Sequence, residues 1–304
     1  MGITYQTPKA FESAVKAKIK RQFGSDSTRY NAKWREFVFE RLLSRVFSED
    51  PSRFALKGGT RLLAQIIDAR ATKDIDLNSG WDDRKEIVSE LARLARKDLN
   101  DFFSFTQLSD EPMLGIDTQP ERSGVRVFFR AMIGTKVIMR IKLEVVSGRA
   151  FADQVIKQAP VNKLAIEGLR SFDYVLIPIT QQIAEKVCAT IETHNGTPSS
   201  RDKDLIDLVA IAQSLSFNKG KLRSALEAEA AFRDLDVGQA LTAPPGWATT
   251  YPQNVDHIAL TEDYRSLSCP DISESNARSD RFRSTRSPLE PNKAHLGVTS
   301  DNQK

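Results

Sequence analysis

The residues best suited to chemistry lie between Gly58 and Asp76. Gly58, Gly59 and Thr60 are followed, after the thirteen residues Arg61 to Lys73, by Asp74-Ile75-Asp76. On a β-strand, successive side chains point to opposite faces, so Asp74 and Asp76 project together while Ile75 enters the core. Two carboxylates on one face offer hard oxygen donors to Mg2+ or Mn2+. Such ions activate an attacking hydroxyl and neutralise a leaving pyrophosphate in nucleotidyl transfer. A glycine pair before a Thr at a helix start lets backbone N–H groups approach phosphate oxygens, where the helix dipole favours an anion. Gly58, Gly59 and Thr60 are therefore the expected phosphate contacts, and the Thr60 hydroxyl is expected to be exposed there, so that a modification adding charge to it would block the site.

A third acid is expected from a neighbouring strand. In TKVIMRIKLEVVS, Val137, Met139, Ile141, Leu143 and Val145 alternate with Arg140, Lys142 and Glu144, which places Glu144 on the polar face. It reads as a third metal ligand, as the base that accepts the acceptor proton, or as one more charge on a solvated strand face.

The elements that must position these groups are legible from hydrophobic period. Phe11, Val15 and Ile19, then Phe37, Leu42, Leu43 and Val46, recur at helical spacing, so residues 1–50 are expected to be helical. FALK, Gly58-Gly59, TRLLAQII and KDIDL read as strand, tight turn, short helix and strand. DRKEIVSELARLARKDL reads as a surface helix with Ile87, Leu91 and Leu94 inward. FFSFTQL, VRVFFRAMI and TKVIMRIKLEVVS read as strands, the last two joined at Gly134-Thr135. The expected architecture is α/β (α+β) and bilobal: N-terminal helices over 1–50, a mixed-sheet core over 51–150, a C-terminal helical lobe over 151–240 and a flexible tail over 241–304, in which a short helix near 256–267 is conceivable.

Composition narrows the class. Of 304 residues, 40% are hydrophobic, enough for a sizeable core, and 44 Lys and Arg against 40 Asp and Glu leave a net charge of +4. That balance suits a polyanion without requiring one. Cys188 and Cys269 make no disulfide framework, and His194, His257 and His295 are scattered, so a structural zinc site is not expected. No signal peptide or membrane span is evident, and a cytoplasmic protein without a membrane partner is expected.

With these residues in view, the chain resembles the DNA polymerase β-like nucleotidyltransferase superfamily, and within it the AbiEii toxins of abortive-infection and type IV toxin–antitoxin pairs. The resemblance rests on LKGGTRLLAQIIDARATKDIDLN, KLE, QQIAEKVCATI and RDKDLIDL, together spanning about residues 54–208. It implies that Asp74, Asp76 and Glu144 hold metal, that Lys186 of the third motif meets the nucleotide phosphates, and that Asp204 of the fourth serves with it. Asp207 in the same short helix competes for that last role. Read from the helix alone, Lys186 lies beside the apolar stripe of Ile183, Val187 and Ile191, as a solvent-facing lysine also would. Arg201 reads as an aid to the nucleotide or as a helix-start charge. The polar stretch HNGTPSSRDK between the third and fourth motifs reads as a flap or a plain connection. The family implies transfer of NMP from an NTP to RNA, with tRNA as the acceptor, and a cognate antitoxin as partner. Protein nucleotidylation and a non-catalytic NTP- or RNA-binding regulator are the alternatives on the same fold.

Overall fold

A computed structural model describes residues 4–49, 53–67, 69–113, 124–148, 155–194 and 196–235. The tail after 240, with its conceivable helix, lies outside these described residues.

Two helices open the chain, as their periodicity predicts. α1 (Pro8–Phe23) starts on a proline, whose fixed φ suits a first helical turn, and the Thr7 side chain accepts from the Ala10 N–H at 3.2 Å. α2 (Ser27–Val46) is capped by Asp26, which accepts from the Arg29 N–H at 3.0 Å. Its C-terminal half is buried on all sides, including Arg41 and Arg45. Both guanidinium groups donate to the buried Asp101 carboxylate, at 2.8 and 2.7 Å. Burial pushes the Asp101 carboxyl up, but the hydrogen bonds and charge of the two arginines outweigh it and hold it below its ordinary value. Breaking a buried ion cluster of this kind strands a charge, so the cluster fixes α2 against the segment leading to the third strand.

The core is built from β1 (Phe54–Lys57), α3 (Gly58–Gln65), β2 (Ile75–Ser79), α4 (Arg84–Ala95), β3 (Phe103–Met113), β4 (Gly124–Ile133), β5 (Lys136–Val146), β6 (Ile156–Gln158) and β7 (Tyr174–Leu176). The seven strands form one mixed sheet in the order β3-β4-β5-β2-β1-β7-β6. β2 runs parallel to β5 and β1 parallel to β7, while the other pairs are antiparallel. The sheet therefore continues past residue 150. β6 and β7, which period alone assigned to a helical segment, are too short to show an alternation; they are recruited because the Leu56 edge of β1 needs a partner.

β4 and β5 meet at Gly134, whose φ of +56° makes the tight turn. The expected alternation holds for the buried Ile141, Leu143 and Val145 but fails at the start of β5. A register shift opposite Ala131 and Met132 turns Val137 outward, 56% exposed, and lets Ile138 pack on the core.

The chain ends its described part with α5 (Ile179–Ile191), the two-residue strands β8 (Thr193–His194) and β9 (Thr197–Pro198), α6 (Asp202–Ser214) and α7 (Lys219–Phe232). The polar stretch between the third and fourth motifs is thus partly a small hairpin. Two apolar clusters result. One joins α1, α2 and α4 to the sheet, and the other gathers Leu62 and Leu63 of α3 with Ile183, Leu208, Ile211 and Leu222 from α5, α6 and α7. α3 contributes Ala64 to the first and Leu62 to the second, so its glycine start lies on the seam between them. Because β1 and β7 are parallel neighbours, and α3 and α5 follow them directly, the two helices begin side by side at the same end of the sheet.

Candidate active site

The glycine turn and the acids meet at that end. Lys57, the last residue of β1, pairs in register with Asp76 of β2. Gly58 then takes φ +64°, a left-handed conformation that turns strand into helix, and a Cβ added to it would lie 2.1 Å from Asp76 Oδ2. Only glycine leaves room for that carboxylate. A Cβ on Gly59 would lie 3.1 Å from the Thr72 side chain. The Gly58 carbonyl accepts from Gln182 Nε2 at 3.0 Å, which ties the turn to the first turn of α5.

Thr60 differs from expectation. It is 6% exposed and its hydroxyl donates to the Asp74 carbonyl oxygen at 3.0 Å, an oxygen that Thr72 Oγ1 also approaches at 3.3 Å. The hydroxyl faces into the protein because the helix turns it toward the segment entering β2. It holds the backbone of Asp74 rather than standing exposed at the phosphate site.

On the other side of Asp76, the parallel register sets Glu144 of β5 directly beside it. Asp74, one residue before β2, reaches the same place through Lys142, whose ammonium lies 3.1 Å from both Asp74 Oδ2 and Glu144 Oε1. Arg126 Nε of β4 donates to Glu144 Oε1 at 2.9 Å. Burial raises the Glu144 carboxyl, but Arg126 and Lys142 outweigh it and hold it below the ordinary range. Arg140 shares this face, as expected, but stacks on the Phe128 ring, 4.0 Å from its centroid, and does not join the acids. Asp76 has the opposite balance: burial pushes it up to about 6, with Lys57 and Lys186 pulling down and Glu144 and Asp74 pushing up.

The acids of the first two motifs face a further charged cluster on the helical side. Lys186 of α5 is 8% exposed, and its Nζ contacts Asp204 Oδ1 at 2.6 Å and Asp207 Oδ2 at 2.7 Å. Both competing acids of the fourth motif therefore hold it. Burial works against the Lys186 charge, but Asp207 and Asp204 outweigh it and raise the ammonium's pKa, so it stays cationic. Arg70 completes the cluster with two bonds to Asp207, each 2.7 Å. Lys57 pairs with Glu185 at 2.9 Å. Arg201 is largely exposed and only 3.8 Å from Asp204 Oδ2.

These groups line one cleft of about 770 Å³: Lys57, Gly58, Gly59, Asp74 and Asp76 on the sheet side, Glu185, Lys186 and Asp204 on the helical side, with Arg70 and Lys73 from the segment between α3 and β2. Thr60 and Glu144 are not among its lining residues. Sequence reasoning missed Arg70, Arg126, Lys57 and Glu185. Arg70 lies in an irregular segment without period, whereas Lys57 carried a signal, as the residue immediately before the glycine turn.

In donor chemistry, Asp74, Asp76 and Glu144 fit a hard cation. Among the described residues no three acid, imidazole or thiolate groups converge tightly enough to hold a metal as they stand. The cause is local: the Lys142 ammonium lies between Asp74 and Glu144. Asp74 and Asp76 could hold a metal directly, and Glu144 could join them once its contact with Lys142 is given up. No described helix is long and apolar enough to cross a membrane.

The similarities to known proteins concern the family and the fold. The profile of the nucleotidyl transferase AbiEii toxin of type IV toxin–antitoxin systems matches residues 41–284. Among curated proteins none matches the chain in sequence. The fold is similar to that of MenT4, a nucleotidyltransferase toxin from Mycobacterium tuberculosis H37Rv, at TM-score 0.53 and 17% identity over 88% of this chain and 87% of that one. JHP933 from Helicobacter pylori aligns at TM-score 0.45 and 16% identity, over 83% and 90% of the two chains. The chain belongs to the AbiEii family of nucleotidyltransferase toxins.

Proposed function

We propose that this nucleotidyltransferase moves NMP from an NTP to the 3′ end of an RNA, with tRNA as the acceptor and pyrophosphate as the leaving group, and that Mg2+ or Mn2+ is required. One observation carries the reading: a half-buried carboxylate, Asp76, packs against a glycine turn in the same cleft that Lys186 enters from the opposite helices. When bound, the metal ion would supply charge neutralisation at the transferring phosphoryl group. Asp74 and Asp76 would hold it, with Glu144 as a third ligand. Being held below its ordinary pKa, Glu144 suits a ligand better than a base.

The Gly58-Gly59 turn presents backbone N–H groups to the triphosphate at the start of α3. Lys186, kept cationic and positioned by Asp204 and Asp207, offers a fixed positive charge to the same phosphates. The acceptor hydroxyl oxygen forms a bond to the α-phosphorus, the bond from the α-phosphorus to the bridging β-phosphate oxygen breaks, pyrophosphate departs, and the hydroxyl proton is released to solvent. The family implies a cognate antitoxin that restrains the activity.

The test is to incubate the protein with each α-labelled NTP and total RNA, with and without EDTA. A labelled band removed by ribonuclease, dependent on divalent metal and accompanied by pyrophosphate, is expected. A band removed by protease and resistant to ribonuclease would instead establish protein nucleotidylation.

A further inference from the structure

The cleft has a wall that neither the motifs nor the family match covers. Thr28, Asn31 and Arg35 of α2 line it together with Asp74 and Asp76. Their spacing of three and four residues puts them in one stripe along the helix, and all three precede residue 41, where the family match begins. Neighbouring cations on α2 are engaged, Arg29 near Asp26 and Lys33 with Glu36 at 3.0 Å.

Cations deep in the cleft are also engaged: Lys57 with Glu185, Lys186 with Asp204 and Asp207, and Arg70 with Asp207. Arg35, Lys73 and Lys203 also line the cleft, yet none makes an ion pair or hydrogen bond among the described residues. They come from three separate elements: α2, the segment before β2, and the start of α6. A triphosphate is compact and already has the glycine turn and Lys186. Uncommitted cations distributed over three elements suit a strand that carries one phosphate per nucleotide.

We propose that the Thr28, Asn31 and Arg35 stripe belongs to the acceptor subsite, with Arg35 holding a backbone phosphate of the RNA strand whose end enters the cleft. Thr28 and Asn31, uncharged and exposed, supply hydrogen bonds to the adjoining nucleotide. This rests on the RNA-acceptor reading above.

The experiment measures binding of labelled total tRNA, without NTP, across a potassium chloride series for the wild type, Arg35→Ala, Arg35→Lys and Arg223→Ala, the last an exposed α7 cation outside the cleft lining. NTP KM is measured on the same proteins. Arg35→Ala is expected to weaken tRNA binding about tenfold and to lower the salt slope by about 0.7 to 0.9. NTP KM should be unchanged, Arg35→Lys should keep the slope, and Arg223→Ala should match the wild type. Arg35→Ala binding tRNA like Arg223→Ala, or raising NTP KM with tRNA binding intact, would overturn the assignment. Failure of the wild type itself to bind tRNA would overturn the RNA reading first and this assignment with it, a result visible before any variant is compared.

Discussion

Replacing Asp76 by Asn should abolish transfer while making the metal-free protein more stable at neutral pH. The carboxyl is raised from 3.8 to about 6, chiefly by burial. The sign follows from linkage: the folded state holds its proton more tightly than the unfolded state, so the wild type loses stability as pH rises from about 4 to about 6 and stays at the lower level above that. A shift of about two units corresponds to about 3 kcal/mol, reduced to about 2 kcal/mol because solvent reaches part of the side chain and screens it. Asn has the same shape beside Gly58 and no charge to desolvate. Thermal unfolding in EDTA at pH 8 should therefore place Asp76→Asn about 4 to 8 °C above the wild type, with the gap closing toward pH 4. Other acids, such as Asp101 and Asp207, titrate in both proteins and cancel in the difference. Mg2+ should raise the wild-type midpoint more than the variant's, because the variant keeps Asp74 and Glu144 but loses the Asp76 carboxylate. A variant less stable than the wild type at pH 8, or a gap independent of pH between 4 and 7, would refute the claim that Asp76 is a carboxylate stored at a cost.

Lys186→Met should remove transfer and also destabilise by about 3 kcal/mol, since Asp204 and Asp207 then face one another with Arg70 alone as counter-charge; labelled-NTP transfer and urea unfolding read the two effects. Gly58→Ala should cost more stability and activity than Gly59→Ala, because only Gly58 has positive φ and its added methyl strikes Asp76, and equal midpoints in thermal unfolding would contradict this. Lys142→Ala should lower the Mg2+ concentration giving half-maximal rate, since its ammonium competes for Asp74 and Glu144; a higher requirement would show that Lys142 assists the site instead.

The parts of the site readable in the sequence were those imposed by local rules. The glycine pair, the acids two apart and the polar face of β5 follow from turn geometry and strand alternation, while the register that sets Asp76 beside Glu144, and the Lys142 ammonium that stands between Asp74 and Glu144, are tertiary facts. Period could not tell that Lys186 is buried, because the polar side of α5 is covered by α6 and α7, a tertiary fact outside any helical wheel. Thr60 was misjudged for a related reason: a hydroxyl at a helix start can serve a ligand or the protein's own carbonyl, and only the path of the chain into β2 decides. The α2 stripe was invisible, since Thr28, Asn31 and Arg35 look like any solvated face until the sheet is placed beneath them.

The pairing of charges in the cleft points to one carboxylate above the others. Glu185 has Lys57, Asp207 has Arg70 and Lys186, Asp204 has Lys186, and Asp74 and Glu144 share Lys142. The Asp76 side chain has no hydrogen bond or ion pair among the described residues, and the nearby acids Glu144 and Asp74 work against the relief that Lys57 and Lys186 give it. A fold that gives each neighbouring acid a direct cationic partner, and leaves Asp76 only the more distant charges of Lys57 and Lys186 against a glycine that admits nothing larger, has concentrated its unmet electrostatic need at one carboxylate. A cation bound there would meet a carboxylate whose desolvation has partly been incurred in folding and which has no salt-bridge partner to displace. On the metal-dependent reading proposed above, Lys142 is tolerable beside Asp74 and Glu144 because both would exchange its partly exposed ammonium for a metal held first by Asp76.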